Sequence, residues 1–419
     1  MSVSRSDPPQ TFDVTTYRAK WVLPISSPPI ENGFIVVRGD VIVKVGRQQE
    51  FGHDIEGKSI DLGDVAVMPG LVNAHTHLEF SELEKPIGNP GMELADWIGE
   101  VIRQRGQTIS TADTIAKGLD QCKRSGTVLV GEIATTPWLG ALDISGETEG
   151  DTDSIEVIAM AETLGLSSHR ADDKFALAQS HLQRWGEHAG ISPHAPYSTP
   201  PELIRRCVEL ARRTDSILAM HVAESVAERE LLMHGTGPFA DSLRAIGLPI
   251  DETFPWSTPT PVIDLIRTLA QAPTALLVHA NDLHDDELDE LCRHRHLSVV
   301  YCPRTHHFFR HRPHRVGELI NAGVNVALGT DSRASNPDLS LWGEVQFLLN
   351  HRQDLDPHLI FRIATLGGAI ALRRENVWGN IQPGRRARLI GIPTSANQVS
   401  ELPNDLASSN PFVVVPVRN

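Results

Sequence analysis

The chain has 419 residues, enough to bury a large core and more than one small domain needs. At 40% hydrophobic and 22% charged it has the composition of a globular protein, and its net charge of −15 opposes binding to a polyanion such as DNA. No apolar run reaches membrane-spanning length, and the four cysteines (Cys122, Cys207, Cys292, Cys302) are scattered without a CxxC, which predicts reduced thiols and a cytoplasmic location.

Residues 1–67 read as β-rich. Val14 to Leu23 is a candidate strand, and Phe34 to Val37 and Val41 to Val45 flank Gly39-Asp40 as a hairpin. From Met68 to about Glu375 the texture changes, and apolar strand-like runs alternate with amphipathic helical stretches. The strands are predicted at 70–74, 127–130, 155–160, 190–194, 217–221, 275–279, 297–301 and 324–329. Eight such βα units predict an α/β fold, a (β/α)8 TIM barrel over 68–375. Pro383-Gly384 and the apolar stretch Phe412 to Val417 look β-like again, so 1–67 and 376–419 are expected to build one small β domain together.

The first barrel strand ends in His75-Thr76-His77. Side chains two apart on a strand share a face, so two imidazoles project together, an arrangement suited to one metal ion. Other predicted strands also end in polar residues: His194, His221, His279 and Asp331. In a barrel these ends converge on the face that carries the chemistry. His75, His77, His221 and Asp331 thus form a candidate ligand set for one divalent ion, zinc ahead of iron, with a position left for water. The fourth strand offers His194 and no lysine, which disfavours a second, carbamate-bridged ion. Glu224 follows His221 by three and is placed to hand a proton to a substrate ring nitrogen. Its bland reading is a helix-start glutamate. His279 is a candidate partner for the water, against the alternative of a satisfied core histidine. The run His306-His307, His311 and His314 reads by default as a solvated loop. HExxH, PCxxC after His77-Leu78-Glu79, a glycine-rich phosphate loop and GxSxG are all absent, which removes the zincin, small-fold cytidine deaminase, P-loop and α/β-hydrolase chemistries.

These residues resemble the amidohydrolase superfamily, in particular its mononuclear deaminase and chlorohydrolase branch. The matching stretches are Pro69 to His77, Ser192 to Ser198, His221 to Ser225, His279-Ala280-Asn281, Tyr301 to Arg304 and Leu328 to Ser332. The resemblance implies a barrel with a β-sandwich built from both chain termini. It implies His75, His77, His221 and Asp331 as metal ligands, with Glu224, His279 and Asp331 moving protons and His194 contacting substrate. Trp97 fits the lid tryptophan of S-adenosylhomocysteine-type deaminases. His77-Leu78-Glu79-Phe80-Ser81 is similar to the aminodeoxyfutalosine deaminases, whose substrate is an adenine nucleoside bearing a carboxylate. Arg304, just after the seventh strand, is the candidate partner for that carboxylate. The expected reaction is hydrolytic deamination of a small heterocyclic amine such as an aminated purine nucleoside, with release of ammonia. Dechlorination or cyclic-amide hydrolysis at the same metal, and a non-catalytic barrel that only binds, are the alternatives. The oligomeric state is left open, a homodimer among the options.

Overall fold

Two sheets organise the chain, and the switch between them falls at Gly70. The computed structural model describes residues 14–50, 57–105, 112–135, 154–248 and 250–414. The N-terminal part supplies β1 (Val14–Val22), β2 (Ile30–Arg38), β3 (Val41–Arg47), β4 (Lys58–Asp61) and β5 (Val65–Pro69). The next eight strands are β6 (Leu71–Thr76), β7 (Thr127–Ala134), β8 (Glu156–Thr163), β9 (Ala189–Pro193), β10 (Ile217–Val222), β11 (Thr274–His279), β12 (Leu297–Tyr301) and β13 (Asn325–Leu328). The C-terminal part adds β14 (Leu389–Pro393) and β15 (Phe412–Val414). The last three positions of the stretch expected to be β-like, 415–417, lie outside the described residues.

The terminal strands form one sheet in the order β15-β14-β5-β1-β2-β3, with β4 beside β1. The hairpin turn between β2 and β3 uses Gly39 at φ 63°, a left-handed conformation that glycine adopts without strain. The expected domain boundary at 67/68 falls inside β5, which stays paired with β14 through Pro69. At Gly70 the chain crosses to the second sheet. A Cβ there would lie 2.3 Å from Val128 Cγ1, so only glycine lets the chain pass so close to β7.

The second sheet is parallel, in the sequential order β6 to β13. Its ends meet through a Thr76–Asp331 bridge and through the amides of Thr330 and Asp331, both 3.1 Å from His75 O, which closes the barrel. Strands buried on both faces must be apolar almost throughout, and β6, β9, β10 and β12 are buried at every residue. Alternate residues face inward. One apolar cluster takes Val72 and Ala74, Leu129 and Ile133, Ile158 and Met160, Ile217 and Ala219, Leu276 and Val278, Val300 and Ala327 from around the ring, as only a barrel lumen can. The intervening residues, such as Leu218, Leu277 and Val299, pack outward against the helices. Among the described residues no helix is long and apolar enough to cross a membrane.

Candidate metal centre and active site

Three imidazoles meet at the C-terminal mouth of the barrel. Ligand-capable nitrogens of His75, His77 and His221 lie within 4.8 Å of one another, and all three side chains are buried. His221 continues the inward alternation of Ile217 and Ala219. His75 and His77 are re-aimed by a register shift between Asn73 and Thr76 where β6 pairs with β7. His77 Nε2 is 3.4 Å from His221 Nε2, and Asp331 Oδ1 is 3.7 Å from both His75 Nε2 and His77 Nε2.

The donor chemistry fits a cation. Both ring nitrogens of His75 and Nδ1 of His77 are buried without a hydrogen-bond partner, a costly state for polar atoms that have nothing else to bind. His221 Nδ1–H donates to His194 O at 2.6 Å, which fixes the tautomer and leaves the Nε2 lone pair facing its neighbours. Burial, reinforced by His75, pushes the basicity of His77 well down, and burial with His194 and His75 does the same for His221. The rings are therefore neutral, as metal ligands must be. The Asp331 carboxyl faces the rings of His75 and His77 from just beyond β13. Ser335 Oγ–H donates to its Oδ2 at 2.8 Å and sets its orientation.

Beside this cluster stands a second carboxyl. Burial, then the charges of Glu228 and Asp331, push Glu224 well above its ordinary value. Its Oε1 is 3.4 Å from His279 Nε2, and its Oε2 accepts from the Tyr197 hydroxyl at 3.2 Å. The backbone behind it is pinned. Glu228 accepts from the amides of Ala223 (2.8 Å) and Glu224 (3.1 Å), and Asn281 Nδ2 donates to Glu224 O at 3.1 Å. His279 reaches the site by strained backbone. It follows the inward-facing Val278, so simple alternation would turn it outward, but His279 and Ala280 take φ of 72° and 51°. Burial keeps His279 neutral, and its carbonyl receives His314 Nε2–H at 2.9 Å. The expected loop histidines are thus partly internal, since His306 and His314 are buried. His194 borders the cluster, its ring 4.9 Å from that of His221 and its Nδ1 2.7 Å from Ser198 Oγ. Burial, then the positive charge of Arg105, brings it down to about 3.

Two expected substrate contacts, Arg304 and Trp97, have protein partners in the structure. Arg304 has its guanidinium committed: Nε donates to Glu344 Oε1 at 2.7 Å, Nη1 and Nη2 to Asp338 at 3.2 and 2.7 Å, and Nη2 to Ser340 O at 2.9 Å. It braces the connection after β13 and has little left for a substrate carboxylate. Trp97 donates its indole N–H to Ile87 O at 3.1 Å and packs edge-on against Phe309 at 5.2 Å, as a core aromatic. Arg304→Met should therefore act on stability. It strands the fully buried Glu344, at a cost of roughly 3–5 kcal/mol. Calorimetric melting should show that loss, while kcat/KM of the folded fraction stays within about threefold of wild type.

Residues that sequence reasoning passed over complete the site. Tyr197 stands inside the Ser192 to Ser198 stretch, yet nothing in the sequence says that its hydroxyl reaches Glu224, 27 positions on. Ser335 and Asn281 from loops, and Glu228 from the helix Val226–His234, position catalytic candidates, and Glu79, Arg105 and Glu162 form an ionic group at the mouth.

A closed parallel barrel with a histidine cluster at its C-terminal mouth defines the class of TIM-barrel hydrolases. Residues 66–415 match the Amidohydrolase family, and the chain belongs to that family. An aminodeoxyfutalosine deaminase of Deinococcus radiodurans is 31% identical over 366 residues, covering 83% of this chain and 84% of that one. A 5-methylthioadenosine/S-adenosylhomocysteine deaminase of Nitratidesulfovibrio vulgaris is 26% identical over 395 residues, covering 90% of this chain and 82% of the other. Among solved structures, the aminofutalosine deaminase of Helicobacter pylori superposes with a TM-score of 0.78 at 20% identity, covering 96% of this chain and 97% of that one. An adenosine deaminase of Xanthomonas campestris with bound zinc superposes with a TM-score of 0.74 at 24% identity, covering 96% and 90%. These two structures bear on the fold, a barrel joined to a sheet from both termini.

Proposed function

We propose that this chain is a metal-dependent hydrolytic deaminase of an aminated purine nucleoside or a related heterocycle, with His75, His77, His221 and Asp331 holding one divalent ion, zinc ahead of iron. The observation that carries the reading is Glu224, a buried carboxyl 3.4 Å from His279 Nε2 and beside the histidine cluster, its pKa raised by burial. Hydrolysis of an ester or amide has no need of such an acid next to the ring, whereas an aromatic amine resists attack until its ring nitrogen is protonated. The deaminase relatives support the same reading.

When bound, the ion supplies Lewis acidity and a water nucleophile usable at neutral pH. The chain's own residues do the rest. Glu224 gives its proton to the ring nitrogen beside the amine-bearing carbon, which makes that carbon electrophilic. Asp331, held by Ser335, accepts the proton of the attacking water. His279, neutral and 3.4 Å from Glu224 Oε1, shares that proton traffic and steadies the charge that develops. The proton is finally delivered to the departing amine, which leaves as ammonia while the carbon keeps the water's oxygen. His194 lines the approach on the β9 side. We assign the enzyme to the cytoplasm, in keeping with four free cysteines, three of them buried.

The test is ammonia release from zinc-loaded protein across adenosine, methylthioadenosine, S-adenosylhomocysteine, aminodeoxyfutalosine, guanine and cytosine. Release from the adenine nucleosides supports the reading, and no release from any of the six overturns it. Tyr197→Phe probes the same machinery more gently. It removes one hydrogen bond to Glu224 and should lower kcat roughly tenfold, with KM and zinc content unchanged, as read by steady-state kinetics and metal analysis.

A further inference from the structure

Glu162 sits near the C-terminal end of β8, on the inward alternation of Ile158 and Met160, and so points into the barrel mouth. Its strand partner is Ser192 of β9, and the neighbouring Thr163 O receives the amide of His194 at 3.0 Å. The Glu162 side chain is only 2% exposed, and its Oε1 has no hydrogen-bond partner. Its Oε2 lies 3.8 Å from Arg105 Nη1, an ion pair too long to be a hydrogen bond. Arg105 is the last residue of the helix Leu94–Arg105 and grips Glu79 with two parallel bonds, Nε to Oε2 at 3.0 Å and Nη2 to Oε1. The guanidinium is 5.5 Å from the Phe80 ring centroid, and the Phe80 ring is 6.5 Å from that of His77. The group therefore borders the β6 to β9 side of the metal centre, across from Glu224 and His279, which follow or end β10 and β11.

That placement fixes what the group faces. A heterocycle with its reacting nitrogen toward Glu224 extends its substituent to the other side, toward Glu162. The charge count then chooses the chemistry. Two carboxylates meet one guanidinium, and Glu79 occupies two of that guanidinium's donor nitrogens. A substrate carboxylate arriving there would meet Glu79 and Glu162 and be repelled. A hydroxyl, which donates, would satisfy the acceptor that has no partner.

We propose that Glu79, Arg105 and Glu162 form a sugar-diol subsite, in which Glu162 Oε1 accepts from a ribose hydroxyl and Arg105 braces Glu79 beside it. This rests on the deaminase reading above for the pose of the ring, and it narrows the substrate to ribonucleosides over free bases and dideoxynucleosides.

The experiment compares adenosine with 2′,3′-dideoxyadenosine in turnover, and purine riboside with its 2′,3′-dideoxy analogue in calorimetric binding, on zinc-loaded wild type and Glu162→Gln. Wild type should favour the ribosides roughly 10- to 100-fold, expressed in KM and Kd more than in kcat, the range of one or two hydrogen bonds to a charged group. Glu162→Gln should erase most of that preference while leaving the dideoxy compounds almost unaffected. Equal treatment of the two sugars by wild type overturns the subsite, and so does failure of either riboside to bind. A variant that weakens both sugars equally also overturns it, because that is the mark of a structural residue. Should Glu162→Gln fold poorly, the wild-type comparison decides alone. If wild type discriminates between the sugars in binding yet releases no ammonia, the subsite stands and the deaminase reading falls.

Discussion

Glu224→Gln should lower kcat by roughly 10²- to 10⁴-fold, the range expected when a placed general acid is removed. Glutamine keeps the size of the side chain, and its amide oxygen can still accept from Tyr197 at the 3.2 Å position. What it loses is the acidic proton. Binding should survive, with KM shifted by only a few-fold, and zinc content should equal that of wild type because Glu224 lies outside the histidine cluster. The pH profile makes the claim sharper. Burial and the charges of Glu228 and Asp331 raise the Glu224 pKa, so the active, protonated form persists above the ordinary carboxylate range. Wild-type rate should then fall on the alkaline side, as pH climbs through that raised value, and the residual activity of the glutamine variant should lack this limb. Steady-state kinetics from pH 5 to 10, with metal analysis at each end, make the measurement. A variant within tenfold of wild type would remove Glu224 from the chemistry.

How far the sequence could reach depends on which physical signal each feature leaves in it. Parallel barrel strands are buried on both faces and therefore appear as short apolar runs. Each of the eight expected runs holds a strand, as Ile217–His221 does within Ile217–Val222. Helices with strong amphipathic spacing were equally plain. The helix Pro201–Thr214 is one of them, with a proline in its first turn. The stretch 225–260 was not legible. It holds the helices Val226–His234 and Pro238–Ala245, and the first of these leaves Val226 and Met233 exposed, which blurs its periodicity. Geometry at the mouth was legible only in part. Strand ends announced His75, His77, His221 and Asp331, but not the register shift at β6 or the left-handed backbone at His279 and Asp331 (φ 72° and 55°). Arg304 shows the limit best. A cation after a barrel strand looks available to substrate until Asp338 and Glu344, 34 and 40 residues further along, fold back onto it. Long-range pairing of this kind leaves no local pattern, and the same holds for Arg105 with Glu162.

His221→Ala should abolish both zinc retention and activity, and it isolates the metal proposal from every other. Three buried imidazoles converge within 4.8 Å, Asp331 stands at 3.7 Å from two of them, and His194 O holds His221 in the tautomer that presents Nε2. A cation that binds this native cluster and not the unfolded chain should stabilise the fold. Linkage gives about 4 kcal/mol at a free-ion concentration a thousand times Kd. Alanine at 221 removes one ligand and leaves His75 and His77, at the end of β6, with Asp331. Zinc should then leave on dialysis against a weak chelator that wild type withstands, the zinc-induced rise in melting temperature should largely vanish, and turnover should fall to background. Burial holds the remaining imidazole of His77 neutral, so the loss reflects a missing ligand rather than a protonated one, and it should be as large at pH 8 as at pH 6.5. A His221→Ala protein that keeps stoichiometric zinc through dialysis and still turns over would show that the ion, if there is one, sits somewhere else in the barrel.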